Sequence, residues 1–313
     1  MKQYLYLGGL TLSTEKVDDE LEVDEDVIQT IKDLLQDIVH CYSLLFFPTN
    51  DAEITDSWRK AREVSMPVFL NYFNTIPLNY SEQQLERIKR WYLPYDTQIK
   101  KECGISVNEM LNIYDYIEKS FQKTLDNIKT KMDLFAKLLQ DQVQNAQQGK
   151  ITYEQFVKAT FELFDHVKLF NNINILELKR EFDNDVVDRF IAYFSLKREN
   201  RDFKYYTQDN PFENAPLWHK SDEQLFIVHP KLLLNALSNF LYKTMENSQQ
   251  KDNWYKHRDK EVEKQTVSIF KKLFEDNAEY YSSIFETPNS QNEHDLIIIF
   301  QDTLLIVEVK ASK

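Results

Sequence analysis

Glycine is unusually scarce in this chain, with only 4 among 313 residues, whereas average usage would supply about 22. The four are Gly8, Gly9, Gly104 and Gly149, and none stands in a G-x-G-x-x-G or G-x-x-x-x-G-K arrangement. Rossmann and P-loop nucleotide folds need such glycines to bring the backbone against phosphate, so both are excluded. Scarce glycine also disfavours turn-rich β-sandwiches and propellers, and we expect most of the chain to be helical.

The chain is acidic, with a net charge of −13. Affinity for nucleic acid comes largely from Lys and Arg side chains that neutralise phosphates, so this charge opposes diffuse nucleic-acid binding. The segment 15–26 (EKVDDELEVDED) alone holds 8 acidic residues and 1 lysine. Because so much of the acidic charge lies in one segment, the net charge argues against nucleic-acid binding but does not exclude it.

Cysteine content and apolar runs predict a cytoplasmic location. Cys41 and Cys103 are too few for a disulfide framework or a four-cysteine zinc site, and residues 1–12 lack the features of an export signal. The longest later apolar run, 296–300, has the length of a strand and not of a membrane span. We expect a cytoplasmic protein in a reducing compartment, with no membrane partner.

Helical periodicity dominates residues 1–225. Apolar residues recur at three- and four-residue spacing in the segments 26–47, 58–73, 81–92, 106–144, 152–170 and 175–196. A short strand is expected over 4–12, and the proline-containing segment 201–216 is expected to be a linker. The pattern predicts a helical domain over 1–225 of unknown role, which could recognise a DNA site, bind a protein partner or form a homodimer.

The pattern changes in residues 226–313, for which we predict an α+β segment. A helix from Pro230 to about Glu246 is followed by a second helix over 258–274. Three strand-like runs follow, at 279–285, 295–300 and 303–309, and we expect an antiparallel sheet. One helix and three strands are few for a sheet covered on both faces, so we expect a truncated core or a sheet completed elsewhere.

The last two runs form a predicted hairpin with its turn at 301–302. With either a two- or a four-residue loop, Asp295 lies directly opposite Glu308, and opposed residues share a face with Cβ atoms about 4.5–5.5 Å apart. Two carboxylates in that position repel each other unless a divalent cation lies between them. Lys310 is two residues beyond Glu308 and shares this face, whereas Val309 points to the opposite face.

The preceding helix supplies a third acid. Glu263 lies at helical spacing with Val267, Phe270 and Phe274, so it continues the apolar stripe that would face the sheet. A carboxylate on that stripe is costly unless a metal, a water or a basic residue satisfies it. Glu263 is therefore a candidate for the same site.

Residues 258–312 resemble the PD-(D/E)XK nuclease superfamily, which has the restriction-endonuclease-like fold. Glu263 matches the acid of the first core helix, and Asp295 matches the aspartate of the second strand. Glu308-Val309-Lys310 matches the E-x-K of the third strand. His294 stands where the family has a proline, and the family's second core helix and fourth strand have no counterpart in this sequence.

The resemblance implies a metal-dependent nuclease. Asp295, Glu308 and the backbone carbonyl of Val309 would ligate Mg²⁺, or Mn²⁺ in its place. Lys310 would position or polarise the attacking water, and Glu263 would orient a metal-bound water or hold a second metal. Family analogy favours DNA over RNA as substrate and a role in restriction, defence or repair. The alternative is a non-catalytic helical interaction protein with a remnant or truncated nuclease domain, in which case this chain alone is inactive.

Overall fold

The structure, a computed structural model, describes residues 2–15, 24–44, 50, 54–73, 80–126, 128–166, 172–285, 287 and 293–311. The chain divides into two compact units, one formed by Met1–Ser81 with Glu109–Phe240 and the other by Glu82–Asn108 with Leu241–Lys313. These units group residues by proximity in space and not by position in the sequence. The expected division into residues 1–225 and 226–313 stays a prediction.

The described residues are mainly helical, as the sequence predicts. The helices are α1 (Lys2–Leu12), α2 (Glu25–Leu44), α3 (Asp56–Phe73), α4 (Ser81–Tyr92), α5 (Asp96–Cys103), α6 (Val107–Asp126), α7 (Ile128–Gln147), α8 (Tyr153–His166), α9 (Ile175–Glu181), α10 (Asn184–Phe194), α11 (Pro211–Asn214), α12 (Pro230–Glu246) and α13 (Lys251–Phe274). The strands are β1 (Asn172–Asn174), β2 (Ser195–Leu196), β3 (Leu217–Ser221), β4 (Gln224–Ile227), β5 (Ala278–Phe285), β6 (Glu293–Phe300) and β7 (Thr303–Val307).

Several helix boundaries follow from local signals. Helices α4 and α12 begin and end where the periodicity predicts, and the long patterns at 106–144 and 175–196 each divide into two helices. Asp183 separates α9 from α10 because its carboxylate accepts hydrogen bonds from the amides of Asp185 and Val186, at 2.9 and 3.3 Å. An aspartate in this position satisfies donors that the first helical turn leaves free. Among the described residues, no helix is both long enough and apolar enough to cross a membrane.

The prediction of a strand over residues 4–12 is wrong, because this segment belongs to helix α1. Its buried residues are Leu5, Gly9 and Leu12, which repeat at four and three residues as on one helical face. The Tyr6 hydroxyl donates a hydrogen bond to the Lys204 carbonyl at 2.7 Å. Tertiary packing on this face thus outweighs the two glycines, which disfavour a helix in isolation.

The segment 201–216 packs against α1 within the first unit and is not an inter-domain linker. The buried Asn210 side chain donates to the Leu5 carbonyl at 2.8 Å and accepts from the Phe212 amide at 3.0 Å. The Arg201 guanidinium donates to the Leu12 carbonyl at 2.9 Å. The last carbonyls of a helix have no partner within the helix, so the segment completes the hydrogen bonding of α1.

The first unit also contains a four-stranded sheet that the sequence analysis missed, in the order β1-β4-β3-β2. Strands β1 and β3 pair antiparallel to β4, and β2 pairs parallel to β3. Its strands are two to five residues long. Such short segments show too few alternations to be told from loops, and this small sheet is the part of the first unit that the helical pattern did not predict.

The second unit contains the predicted antiparallel sheet, in the order β5-β6-β7. Helix α13 packs on one face, where the Tyr280 hydroxyl donates to the Phe270 carbonyl at 3.1 Å and the Phe274 and Phe300 rings stack at 4.7 Å. Strand β6 buries Leu296 and Ile298. Strand β7 ends at Val307 and not at residue 309 as expected. A restriction-endonuclease-like core remains a proposal.

The two adjacent glycines of α1 provide a matched test of this packing. A Cβ atom at Gly9 would lie 2.8 Å from the Phe203 ring, whereas one at Gly8 would meet Phe212 at an ordinary 3.8 Å. Gly9→Ala should therefore lower the free energy of unfolding by about 1–3 kcal/mol. Gly8→Ala should raise it by about 1 kcal/mol through helix propensity.

Urea denaturation of both variants and the wild type would measure these changes. Equal effects of the two substitutions would contradict the close approach of residues 203 and 210 to α1.

Candidate active site

The pairing of β6 with β7 matches the predicted hairpin. Phe300 pairs with Thr303 across a turn formed by residues 301–302, and the ladder continues to the pair Leu296–Val307. The ladder ends at this pair, one step before Asp295 and Glu308, so the predicted pairing of these two acids stays a prediction.

The two strands part at this point, and the Asp295 carboxylate lies where they separate. Its Oδ2 atom accepts a hydrogen bond from the Val309 amide at 2.6 Å. A hydrogen bond to an ionised acceptor is short and about twice as strong as a neutral one. The ladder thus ends because the Asp295 side chain takes the place of a backbone acceptor. Of the proposed metal ligands, Asp295 and Val309 are in direct contact, but through the Val309 amide and not its carbonyl.

Glu308 has a different neighbour. Its Oε1 atom lies 3.4 Å from His294 Nδ1, which is long for a hydrogen bond, and its side chain is half exposed. Sequence reasoning gave His294 no role. On a regular hairpin His294 and Glu308 would point to opposite faces, so the strand pattern carried no signal for this contact.

Lys310 lies in the irregular segment that follows β7, and it is exposed. Exposure alternates along this segment, since Glu308 and Lys310 are exposed while Val309 and Ala311 are half-buried. Both charged side chains are thus in contact with solvent, and their common side stays a prediction. The lysine is thus open to an anionic ligand in solution.

Glu263 is half-buried on α13, on the apolar stripe that the sequence predicts. Burial raises the pKa of its carboxyl, and the negative charges of Asp295, Glu293 and Asp259 raise it further, while Lys260 opposes the shift. Glu263 therefore has Asp295, Glu293 and Asp259 as acidic neighbours, and we call Glu263 with these three residues the acidic region.

A buried arginine, Arg258, joins α13 to the segment that carries the E-x-K residues. Its guanidinium donates to the Asp259 carboxylate at 3.0 and 3.1 Å and to the Ala311 carbonyl at 3.4 Å. It also lies 4.8 Å from the centre of the Tyr255 ring. The sequence analysis missed this residue. The signal was the spacing of Trp254, Tyr255 and Arg258, which puts a guanidinium over aromatic rings on one helical face.

This arrangement offers oxygen ligands of the type that Mg²⁺ and Mn²⁺ prefer. The Oδ1 atom of Asp295 takes no part in the hydrogen bond to the Val309 amide. The Glu308 carboxylate is half exposed, and Glu263 adds a third carboxylate near Asp295. Within the described part of the chain, no group of three or more His, Cys, Asp or Glu side chains is already arranged to hold a metal ion. A metal would therefore have to draw these side chains together.

Comparison of the chain with protein-family models, with curated proteins and with solved structures found no match.

The raised pKa of Glu263 gives a pH-dependent prediction. Because the folded-state pKa lies above the ordinary value of 4.5, the folded chain binds this proton more tightly than the unfolded chain. The free energy of unfolding therefore falls as pH rises from 4.5 through the folded-state pKa. Glu263→Gln should be more stable than the wild type near neutral pH in EDTA, and should lose this advantage below pH 4.5.

Urea denaturation across this pH range would measure the difference. Glu261→Gln is the matched control, because Glu261 lies on the same helix but is paired with Lys264 at 2.6 Å. It should give no gain at neutral pH. A Glu263→Gln advantage that did not change with pH would show that the acid repulsion is absent.

Proposed function

We propose that the second unit catalyses metal-dependent hydrolysis of phosphodiester bonds. The supporting observation is the position of Asp295, which is fixed by the Val309 amide at the point where β6 and β7 separate and lies close enough to Glu263 to raise its pKa. Acids that disfavour one another's charge are costly in a purely structural role, and such pairs are enriched at functional sites. The resemblance to PD-(D/E)XK nucleases supports the same function.

The proposed roles are those that the resemblance implies. Asp295 and Glu308, with the Val309 carbonyl, would hold Mg²⁺, and the bound ion would supply charge neutralisation and a more acidic water. Lys310 would offset the negative charge of the phosphate. Glu263 would accept a proton from, or orient, the attacking water, since its raised pKa brings it nearer to the range useful for proton transfer.

The proposed substrate is nucleic acid, with DNA favoured over RNA, and the proposed setting is restriction, defence or repair in the cytoplasm. The substrate class rests on the resemblance and on the exposed Lys310. The strongly acidic chain would bind nucleic acid weakly by charge alone. Recognition of nucleic acid would then depend on the metal site and on a partner protein, or a second copy of this chain, that binds through the expected helical domain.

One observation favours the alternative, a non-catalytic interaction protein. The face of the β5-β6-β7 sheet away from α13 exposes large apolar side chains, of which Leu304 and Ile306 are 57% and 56% exposed. Tyr281 and Ile299 are exposed on the same face. Contiguous exposed apolar patches commonly mark interaction surfaces. Under this alternative the acidic region would carry no activity.

A cleavage assay separates the two functions. The full chain would be incubated with supercoiled DNA, linear DNA and RNA in Mg²⁺, in Mn²⁺ and in EDTA. Cleavage is expected with either metal and not with EDTA. Asp295→Asn and Lys310→Ala should each reduce the rate by about 10²-fold or more, because the chemical step loses a ligand or a positioned cation.

Asp302→Asn and Lys272→Ala are the matched controls, since they remove one exposed acid and one exposed lysine of the same unit. Both should cleave at the wild-type rate. Mg²⁺ should also raise the melting temperature of the wild type but not of Asp295→Asn. Absence of metal-dependent cleavage by the wild type, or equal rates for all variants, would overturn the nuclease proposal and favour the interaction protein.

A further inference from the structure

The first unit contains an apolar cavity of about 320 Å³ between α1 and the four-stranded sheet. Its walls come from α1, from Phe212 of α11, and from Trp218 and Phe226 on the paired strands β3 and β4. Tyr4 and Val228 lie at its exposed mouth. The volume falls at the lower end of the range of about 300–1,000 Å³ that is typical of small-molecule sites.

None of the described residues that line the cavity is charged. Apart from the Tyr4 phenol and the Thr11 hydroxyl, all the lining groups are apolar or aromatic side chains and Gly8. The Thr11 hydroxyl already donates to the Leu7 carbonyl at 2.9 Å. A charged ligand would lose its hydration there without compensation, so the cavity favours a neutral one.

The walls are held in place by contacts of the lining residues with one another and by a hydrogen bond from Asn210. The Asn210 side chain ties the start of α11 to the Leu5 carbonyl at 2.8 Å. The Trp218 and Phe226 rings meet edge to face at 6.3 Å, and Phe212 is buried in a cluster with Leu5. A preformed cavity with ordered aromatic walls binds without the cost of rearranging them.

Gly8 is the residue that keeps the cavity open. A glycine inside a helix is unfavourable relative to alanine, and packing does not require one here, because a Cβ atom would meet only the Phe212 ring at 3.8 Å. Gly9, by contrast, is required by the close approach of Phe203 and Asn210. A longer side chain at position 8 would extend along Phe212 into the cavity.

A peptide is a poor occupant of this cavity. Recognition of an extended peptide by a sheet relies on unpaired backbone groups of an edge strand. The strands that line the cavity, β3 and β4, are the two central strands of their sheet and are paired on both sides. The cavity therefore offers aromatic surface and little backbone hydrogen bonding.

We propose that this cavity is a binding site for a neutral, ring-containing small molecule, kept open by Gly8. The ring would lie against Phe212, Trp218 and Phe226, and a polar substituent would face the mouth beside Tyr4. The site lies within the first unit and does not depend on the proposed nuclease function.

Titration of the full chain with N-phenyl-1-naphthylamine, a neutral ring-containing fluorescent probe, tests this site. The wild type should bind one equivalent with saturation. Gly8→Leu should weaken binding by at least about tenfold, because its isobutyl group would occupy space that the probe needs. Gly8→Ala should weaken binding less than Gly8→Leu, because its single methyl group takes up much less of the cavity.

A second pair of variants keeps the test decisive if Gly8→Leu disturbs the fold. Val228→Glu places a charge at the mouth, where Val228 is 37% exposed, and Val64→Glu places the same charge on α3, where Val64 is 77% exposed. Only Val228→Glu should weaken binding, by about tenfold or more. Unsaturable binding by the wild type, or equal affinity of the Val228→Glu and Val64→Glu variants, would overturn the proposal.

Discussion

The packing of helix α13 positions everything of interest in the second unit. Over its 24 residues it first stacks Trp254 on Tyr92 of α4, with ring centres 5.6 Å apart, and later stacks Phe274 on Phe300 of β6. Burial of these aromatic rings supplies a large share of the apolar area that holds a small unit together. Because both ends of the helix are fixed, the middle turn that carries Glu263 is held close to the start of β6, where Glu293 and Asp295 lie.

The acidic region departs from the rule that packing should satisfy every charge. Burial raises the pKa of the Glu263 carboxyl, and the charges of three other acids raise it further, while the Arg258 guanidinium donates to Asp259 and to the Ala311 carbonyl. A nearby guanidinium is thus used to hold the segment after β7 and not to neutralise Glu263. Proteins accept such local cost where activity needs it, which is why the acidic region, and not the larger apolar face, carries the proposed function.

The sequence predicted the C-terminal sheet well and the first unit poorly, for one physical reason. Residues 296–300 and 304–307 are continuous aliphatic and aromatic runs long enough to define the strands, and the turn at 301–302 then sets the register. The end of β7 was missed because it depends on a side-chain contact, the Asp295–Val309 hydrogen bond. The strands of the first sheet and the helical state of residues 4–12 depend on distant partners such as Asn210. Sequence periodicity carries no information on such contacts.

The scarcity of glycine makes each glycine informative. Gly104 and Gly149 have positive φ angles of 75° and 66° at the ends of helices α5 and α7, where residues with side chains are strained. Gly9 is required by a close contact with Phe203. Gly8, which lines the cavity beside α1, has neither reason. Since backbone geometry and packing would both accept alanine at this position, the space beside Gly8 is the remaining physical reason for it.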